Sequence, residues 1–483
     1  MSVSSSLNVR KLVASCSNRN EKTGEICYCA AIWIGPLQTG NHLMSIQLER
    51  VSQSSVATQN ASAVRWRVVG LLAVVAALTY IDRLNLGIAG KHILEEFGFS
   101  TQTMGFILGA FSLGYALFHI PAGWLADRFG ARPVLAAAVL WFSVFTAATA
   151  VAPRLPLLTI FGAAWSFAVV RFTMGLGEAA AIPVGNKLMA YWLGDKERGF
   201  GTSVFLSGVG LGGVGAPFVI NWMIGQWNWR AAFVISGIFG VIVAGLCYVI
   251  ITDRPEDNPS VNEAELRKIR NISGSSEEMP VKNVVRWRAI LSSSSVWGLM
   301  LSHFCLVYPV YIFFTWFYLY LVRVRGVTIS KASFWTSAPF VANLILVPTW
   351  GWLADYTASK FGKKFGRRLA AWVGISCSAV LLWSGSHTAN NSIAILQLAI
   401  AAGFNFAASA VLWTTCNDLS PGSSGSISGV MTTLGSLGGS VSPVLTAFIA
   451  THLGWNYALD FAGVVTLLSG CSWFLIDADK SIA

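Results

Sequence analysis

Along most of this chain, long stretches without Asp, Glu, Lys or Arg alternate with short charged segments. The charge-free runs are 97–126, 133–153, 155–170, 199–229, 231–252, 289–322, 332–354, 369–417 and 419–459. A helix crosses a bilayer with about 20 mostly apolar residues, so each run predicts at least one crossing. The run 369–417 is long enough for two, and its polar middle, SGSHTANNS (384–392), predicts the turn between them. The run 419–459 divides likewise near 452–456. With a first span near 66–89 and a last one ending near 476, the pattern predicts twelve helices. Their expected positions are 66–89, 102–125, 132–152, 157–185, 199–222, 230–252, 294–321, 331–354, 367–385, 392–416, 425–450 and 455–476.

The longest polar interruption, 253–288, divides these spans six and six, and carries seven basic against seven acidic residues. The same pentapeptide, GWLAD, follows the second and the eighth span, in GWLADRFGARP (123–133) and GWLADYTASKFGKKFGRR (351–368). A long linker between two halves with a shared loop predicts an internal repeat of two similar bundles. The expected organisation is an irregular extension over 1–64, a six-helix bundle over 65–252, a cytoplasmic linker over 253–288, a second bundle over 289–477 and a tail over 478–483. The extension is polar apart from CYCAAIWIG (27–35), which is too short to span. It lacks the apolar core of a secretory signal, and Glu21, Glu25 and Glu49 count against a transit peptide. An over-extended reading frame, with synthesis starting at Met44, is the expectation.

Composition narrows the class. Hydrophobic residues make up 54% of the 483 residues, charged residues only 11%, and the mean hydropathy is +0.60. A soluble domain carries about 25% charged residues, so a water-soluble fold is excluded. So is disorder, which needs low hydrophobicity. The net charge of +11 would suggest nucleic acid in a soluble protein; here it reports topology instead. Basic residues favour cytoplasmic loops, and with the N-terminus inside only Lys91, Arg154, Arg230, Arg323, Arg325 and Lys331 fall in outer loops. Both termini are therefore expected in the cytoplasm. The eight cysteines show neither a zinc spacing nor a disulfide framework, and no metal or cofactor is expected.

Ionisable groups inside spans are costly and mark a cavity or a proton path. The first span holds Asp82 and Arg83 in TYIDRLNLGIAG; the fourth holds Arg171 and Glu178 in RFTMGLGEAAAIP. Adjacent helical residues point about 100° apart, so Asp82 and Arg83 face different neighbours. Residues seven apart share a face about 10 Å apart along the axis, too far for Arg171 and Glu178 to pair directly. Each needs a partner elsewhere, and the first span is the expected place. An arginine fork grips a carboxylate bidentately and keeps its charge. Desolvation favours the protonated form of a carboxyl group, and a nearby arginine favours the ionised form. Such a pair can take up a proton on one side and release it on the other. The competing reading is a static buried ion pair that fixes helix packing.

Asp127, Arg128 and Arg132 of the first GWLAD loop sit at the membrane edge, where charge is cheap. A topology-setting turn explains the arginines but not the return of the acid as Asp355 in the second copy. The segment GVGLGG (208–213) matches GxGxxG but lacks a βαβ setting, so it reads as close helix packing. His119 and His303 could relay protons or serve packing. Trp316 and Tyr320 in YPVYIFFTWFYLYL (308–321), and Trp413 in the tenth span, could line a cavity or meet lipid. No Ser-His-Asp, paired-Cys or metal-ligand constellation is present, which argues against a membrane-embedded enzyme. Buried charges of both signs argue against a channel.

These residues carry a resemblance. GWLADRFGARP resembles the loop 2–3 signature of the major facilitator superfamily. YIDRLNLGIA, RFTMGLGEAAAIP, WNWRAAFVISGIFG and TDRPEDNP resemble the anion:cation symporter family within it, and the likeness covers about 65–477. It implies an all-α polytopic membrane protein of the major facilitator fold, with twelve transmembrane helices in two pseudo-symmetric six-helix bundles. It would act as a monomer in the plasma membrane, the inner membrane of a bacterium, and carry a small organic anion such as a sugar acid with protons by alternating access. The resemblance makes Arg83 the ligand of the substrate carboxylate, and Asp82 and Glu178 the protonation sites. Arg171 would tune Glu178 or touch substrate, Tyr80, Trp316 and Trp413 would line the cavity, and Asp127, Arg128, Arg132 and Asp355 would serve gating. An anion exchanger or facilitator is the alternative. The chain departs from sugar-acid carriers where they often show asparagines, here Thr432 and Ser436, and a glutamine, here Val209. These losses weaken the case for a hexonate and favour a smaller or more aromatic carboxylate.

Overall fold

The computed structural model describes residues 60–155, 161–272, 287–419 and 424–479. The expectations for residues 1–59, including the start at Met44, and for the end of the tail lie outside them. Twelve helices are long and apolar enough to cross a membrane: α1 Val64–Phe97, α2 Thr101–Phe129, α3 Ala131–Thr149, α4 Ala163–Trp192, α5 Glu197–Gln226, α6 Trp229–Ile250, α7 Ser294–Thr315, α8 Ile329–Phe361, α9 Lys363–His387, α10 Asn391–Cys416, α11 Ile427–His452 and α12 Trp455–Leu475. All twelve expected spans are present, and no strand occurs among the described residues. Several run past their expected ends. In α1, α2 and α8 the charged terminal residues stay helical beyond the apolar stretch that made the span visible. Two expected spans are interrupted: α4 consists of Ala163–Glu178 and Ala181–Trp192, and the seventh span stops at Thr315 before a separate turn of helix, Phe317–Arg323.

Packing repeats with a shift of six. Helix α1 packs on α5 and α6, α2 on α4, and α3 on α4 and α6. In the same way α7 packs on α11 and α12, α8 on α10, and α9 on α10 and α12. The halves meet through α2 against α11 and α5 against α8, again an equivalent pair. The two GWLAD loops turn alike: Gly130 and Gly362 adopt φ of +94° and +82°, a region that costs a residue with a side chain.

GVGLGG is a packing motif, as expected. Gly208 and Gly212 lie against the α1 backbone, where a methyl group would come within 2.0 Å of the Ala73 oxygen and 2.3 Å of the Ala77 oxygen. Gly210 and Gly213 turn the other way, onto Leu344 and Phe340 of α8. Small residues let membrane helices approach closely where water-driven burial is absent. The contacts that join the halves lie towards one end. They include the pair Arg323–Glu95, Gln102 with His452, and Asn221 bridging Ser333 and Tyr318. Gly87 lies against the carbonyls of Phe314 and Thr315, and Gly105 against Pro443.

At the opposite end the linker is tied to the first half. Its helix, Glu263–Ile272, buries the Glu265 carboxylate against the start of α1. That carboxylate accepts from the backbone nitrogens of Val64 and Arg65 at 3.1 and 3.0 Å and from the Arg65 guanidinium at 2.9 Å. A carboxylate suits the unsatisfied N–H groups of a helix start.

Candidate functional site

The mid-membrane charges of α1 and α4 come together. Arg83 Nε donates to Glu178 Oε1 at 2.5 Å, and the Glu178 side chain is fully buried. Glu178 therefore finds its partner across on α1, two turns away from Arg171 on its own helix. The Arg83 guanidinium lies over the rings of Tyr115, Tyr80 and Phe111 at 4.7, 5.3 and 5.5 Å. Aromatic faces attract a cation, and this cage holds the guanidinium in place. Glu178 occupies Nε, which leaves the two terminal nitrogens without an acid and with the fork that a second carboxylate requires.

Asp82 takes the other direction, into the first bundle. Arg171 donates to its backbone oxygen at 3.5 Å and to Met174 Sδ at 3.0 Å, while its guanidinium lies 5.1 Å over Phe111. Neither Asp82 oxygen has a hydrogen-bond partner among the described residues, and the same holds for Arg171 Nε, Glu178 Oε2 and both side-chain atoms of Asn85. Buried polar groups are nearly always paired, so a group of them left open on two neighbouring helices marks a place where protons, water or ligand complete the bonding.

Tyr80 reaches across the halves, edge-on to Phe314 at 5.5 Å and Phe340 at 6.3 Å. Trp413 is 44% exposed and stands edge-on to His303 at 6.1 Å. Trp316 is not brought to this group. It is fully buried, donates through Nε1 to the Pro443 oxygen at 3.1 Å and packs on Trp455. Tyr320 likewise packs on Trp455 and accepts from Arg325. Tyr115 and Phe111 were not singled out by the sequence, yet both rings lie over the Arg83 guanidinium. Their only sequence signal is an aromatic residue in a membrane span, which lipid contact explains as well.

The four edge residues do not form one network. Asp127 pairs with Lys187 at 2.7 Å. Arg128 lies over Trp124 and Phe129. Arg132 donates through its backbone to Asp253 and through Nε to the Tyr248 oxygen, both at 2.8 Å. In the second half Asp355 pairs with Arg367 at 2.6 Å, and Arg367 also holds Asp418 at 3.0 Å. None of these contacts joins the two halves: the first cluster lies in the first half and the start of the linker, the second within the second half. Lys187, Asp253, Arg367 and Asp418 are the partners that sequence reasoning passed over, and the GKKFGRR of the second loop was the available signal for Arg367.

A family model described as Major Facilitator Superfamily matches residues 72–443 and again 326–482. The chain is 28% identical over 425 residues to the D-galactonate transporter of an Escherichia coli O6:H1 strain, covering 86% of this chain and 96% of that one. It is 29% identical to the sodium-dependent phosphate transport protein 1, chloroplastic, of Arabidopsis thaliana, covering 86% and 80%. Among solved structures, a bacterial homologue of the human lysosomal transporter Spinster, in an inward-facing and unoccupied conformation, superposes with a TM-score of 0.69 at 19% identity, over 86% of this chain and 98% of that one. The galactonate relative agrees with the resemblance to the anion:cation symporters, and these relatives are transporters, not enzymes. With twelve spans, a six-fold shift in packing and that match, the chain belongs to the major facilitator superfamily.

Proposed function

We propose that this chain is a proton-coupled symporter of a small organic anion, working by alternating access. The observation that carries the reading is the buried Arg83–Glu178 pair beside an unpaired Asp82. Protonating Glu178 cancels its hold on Arg83 and frees the full guanidinium fork for a substrate carboxylate. A proton on Asp82 would neutralise a buried acid whose oxygens have no hydrogen-bond partner among the described residues, and Arg171 balances the remaining charge. Tyr80 and Trp413 border the anion, and Trp316 supports α7 behind it. The two bundles, 65–252 and 289–477, rock about this site as a monomer in the plasma membrane. With both termini cytoplasmic, the end sealed by Gly87, Gly105 and the Arg323–Glu95 pair would be the outer one, and the state inward-facing. Asp127, Arg128, Arg132 and Asp355 would steady the inner ends of the helices as they close.

One monoanion moved with one proton carries no net charge; each further proton adds about 2.3 kcal/mol of drive per 100 mV. In proteoliposomes an acid-outside gradient should drive accumulation. Asp82→Asn should abolish it while leaving counterflow at zero gradient intact. Full accumulation by this variant would remove Asp82 from coupling. Anion exchange is the second reading, favoured by the two arginines held inside the first bundle. Counterflow that outpaces all gradient-driven uptake would select it.

A further inference from the structure

Two imidazoles, one from each half, take no part in the coupling chemistry above; His303 is buried and His119 half-buried. His119 lies on α2 one turn beyond Tyr115, with ring centroids 5.3 Å apart. His303 lies on α7, 7% exposed, seated in a notch where Gly435 of α11 has no side chain; a methyl group there would come within 2.2 Å of the imidazole. Nδ1 of each ring is buried and has no hydrogen-bond partner among the described residues. In the first half the rings run from Arg83 past Tyr115 to His119, and in the second His303 stands against Trp413. Helices α2 and α7, which carry the two imidazoles, both pack on α11, the helix of Gly435.

We propose that His119 and His303 form the far anchor of the substrate site and select a hydroxylated carboxylate, its carboxylate on Arg83 and its hydroxyls on the two imidazoles. This deepens the symporter reading and rests on it. A neutral imidazole offers one donor and one acceptor, the same pair an amide offers, and a hydroxyl can answer either. The amides absent at Thr432, Ser436 and Val209 therefore have a chemical replacement. Thr432 itself spends its hydroxyl on its own helix, donating to the Ser428 oxygen at 2.7 Å. A site that hydrogen-bonds a hydroxyl rejects the analogue lacking it, because buried polar groups are then left unpaired. Since the anchors sit on opposite halves, such a substrate would also draw the halves together.

The test compares gluconate with hexanoate, which has the same six carbons and carboxylate but no hydroxyl, by equilibrium binding to purified protein in nanodiscs. Wild type should bind gluconate at least tenfold more tightly. His119→Ala and His303→Ala should each erase most of that ratio while leaving hexanoate unchanged, and His119→Gln and His303→Gln should restore it. The ratio is read on the same folded molecules for both probes, so partial misfolding does not move it. A ratio unchanged in both Ala variants, or an equal loss of both ligands, would overturn the anchor. Arg83→Ala with undiminished gluconate binding would overturn the anion site alone. Wild-type protein that binds neither probe would overturn both readings.

Discussion

Helices α1 and α4 of the first half and their equivalents in the second, α7 and α10, occupy matching places but hold different chemistry. The first pair contributes Asp82, Arg83, Arg171 and Glu178. The second contributes His303, Tyr311, Phe314, Asn405 and Trp413, aromatic and neutral polar groups without a formal charge at the membrane centre. A duplicated scaffold has thus kept its packing and its loops while its two interiors diverged. Charge is costly in the membrane and is confined to one bundle, where four groups offset one another. The second bundle has no such charges to balance. On the proposed reading the quartet of the first bundle carries the coupling, and substitutions in the two bundles should fail in different ways.

The largest effect is expected at Arg83. Arg83→Ala strands the buried Glu178, and truncating one member of a buried charge pair costs about 2–5 kcal/mol. Counterflow of the anion should fall by about 100-fold or more, a tenfold step being about 1.4 kcal/mol. The comparison in the second half is Tyr311 of α7, packed on Phe314, and Tyr311→Phe removes a single neutral hydroxyl. That loss should stay within about tenfold, since a neutral hydrogen bond contributes about 0.5–1.5 kcal/mol. Transport rates in proteoliposomes, normalised to inserted protein, make the comparison. If Tyr311→Phe proves as damaging as Arg83→Ala, the division of labour between the halves is wrong.

The twelve spans were legible because a bilayer demands apolar length, and length survives any detail of packing. The charged quartet was legible for the complementary reason: a rare residue in a costly place is visible without knowing its neighbours. The pairings were not. Glu178 could be assigned to the first span and by charge to Arg83, but whether Arg83 turned towards α4 depended on its direction, and adjacent residues give no sign of that. The aromatic cage was hidden because Tyr115 and Phe111 look the same in sequence whether they face lipid or a guanidinium. Trp316 shows the opposite error, a conspicuous residue whose indole is spent on the Pro443 oxygen. The interruption at Ala179–Ala180 was invisible because neither residue is a helix breaker.

The GWLAD repeat allows the finest comparison, since the two copies share a pentapeptide but not their ion pairs. In the second copy Arg367 is 10% exposed and holds two acids, with Asp418 15% exposed. In the first, Lys187 meets an Asp127 that is 76% exposed. An arginine bridging two carboxylates with one of them mostly buried should contribute about 1.5–3 kcal/mol, whereas a pair with one partner in solvent contributes about 0–1. Arg367→Ala should therefore lower the thermal midpoint of the detergent-purified protein distinctly, and Lys187→Met should leave it nearly unchanged. Raising the salt concentration should narrow the gap little, because the Arg367 cluster is shielded from the ions that screen Asp127. Should Lys187→Met instead slow transport without moving the midpoint, the weak pair of the first loop would be a contact that breaks and forms in each cycle. A pair that must open on every turnover has reason to be weak, and the stronger cluster in the second loop would then be the fixed side against which it moves.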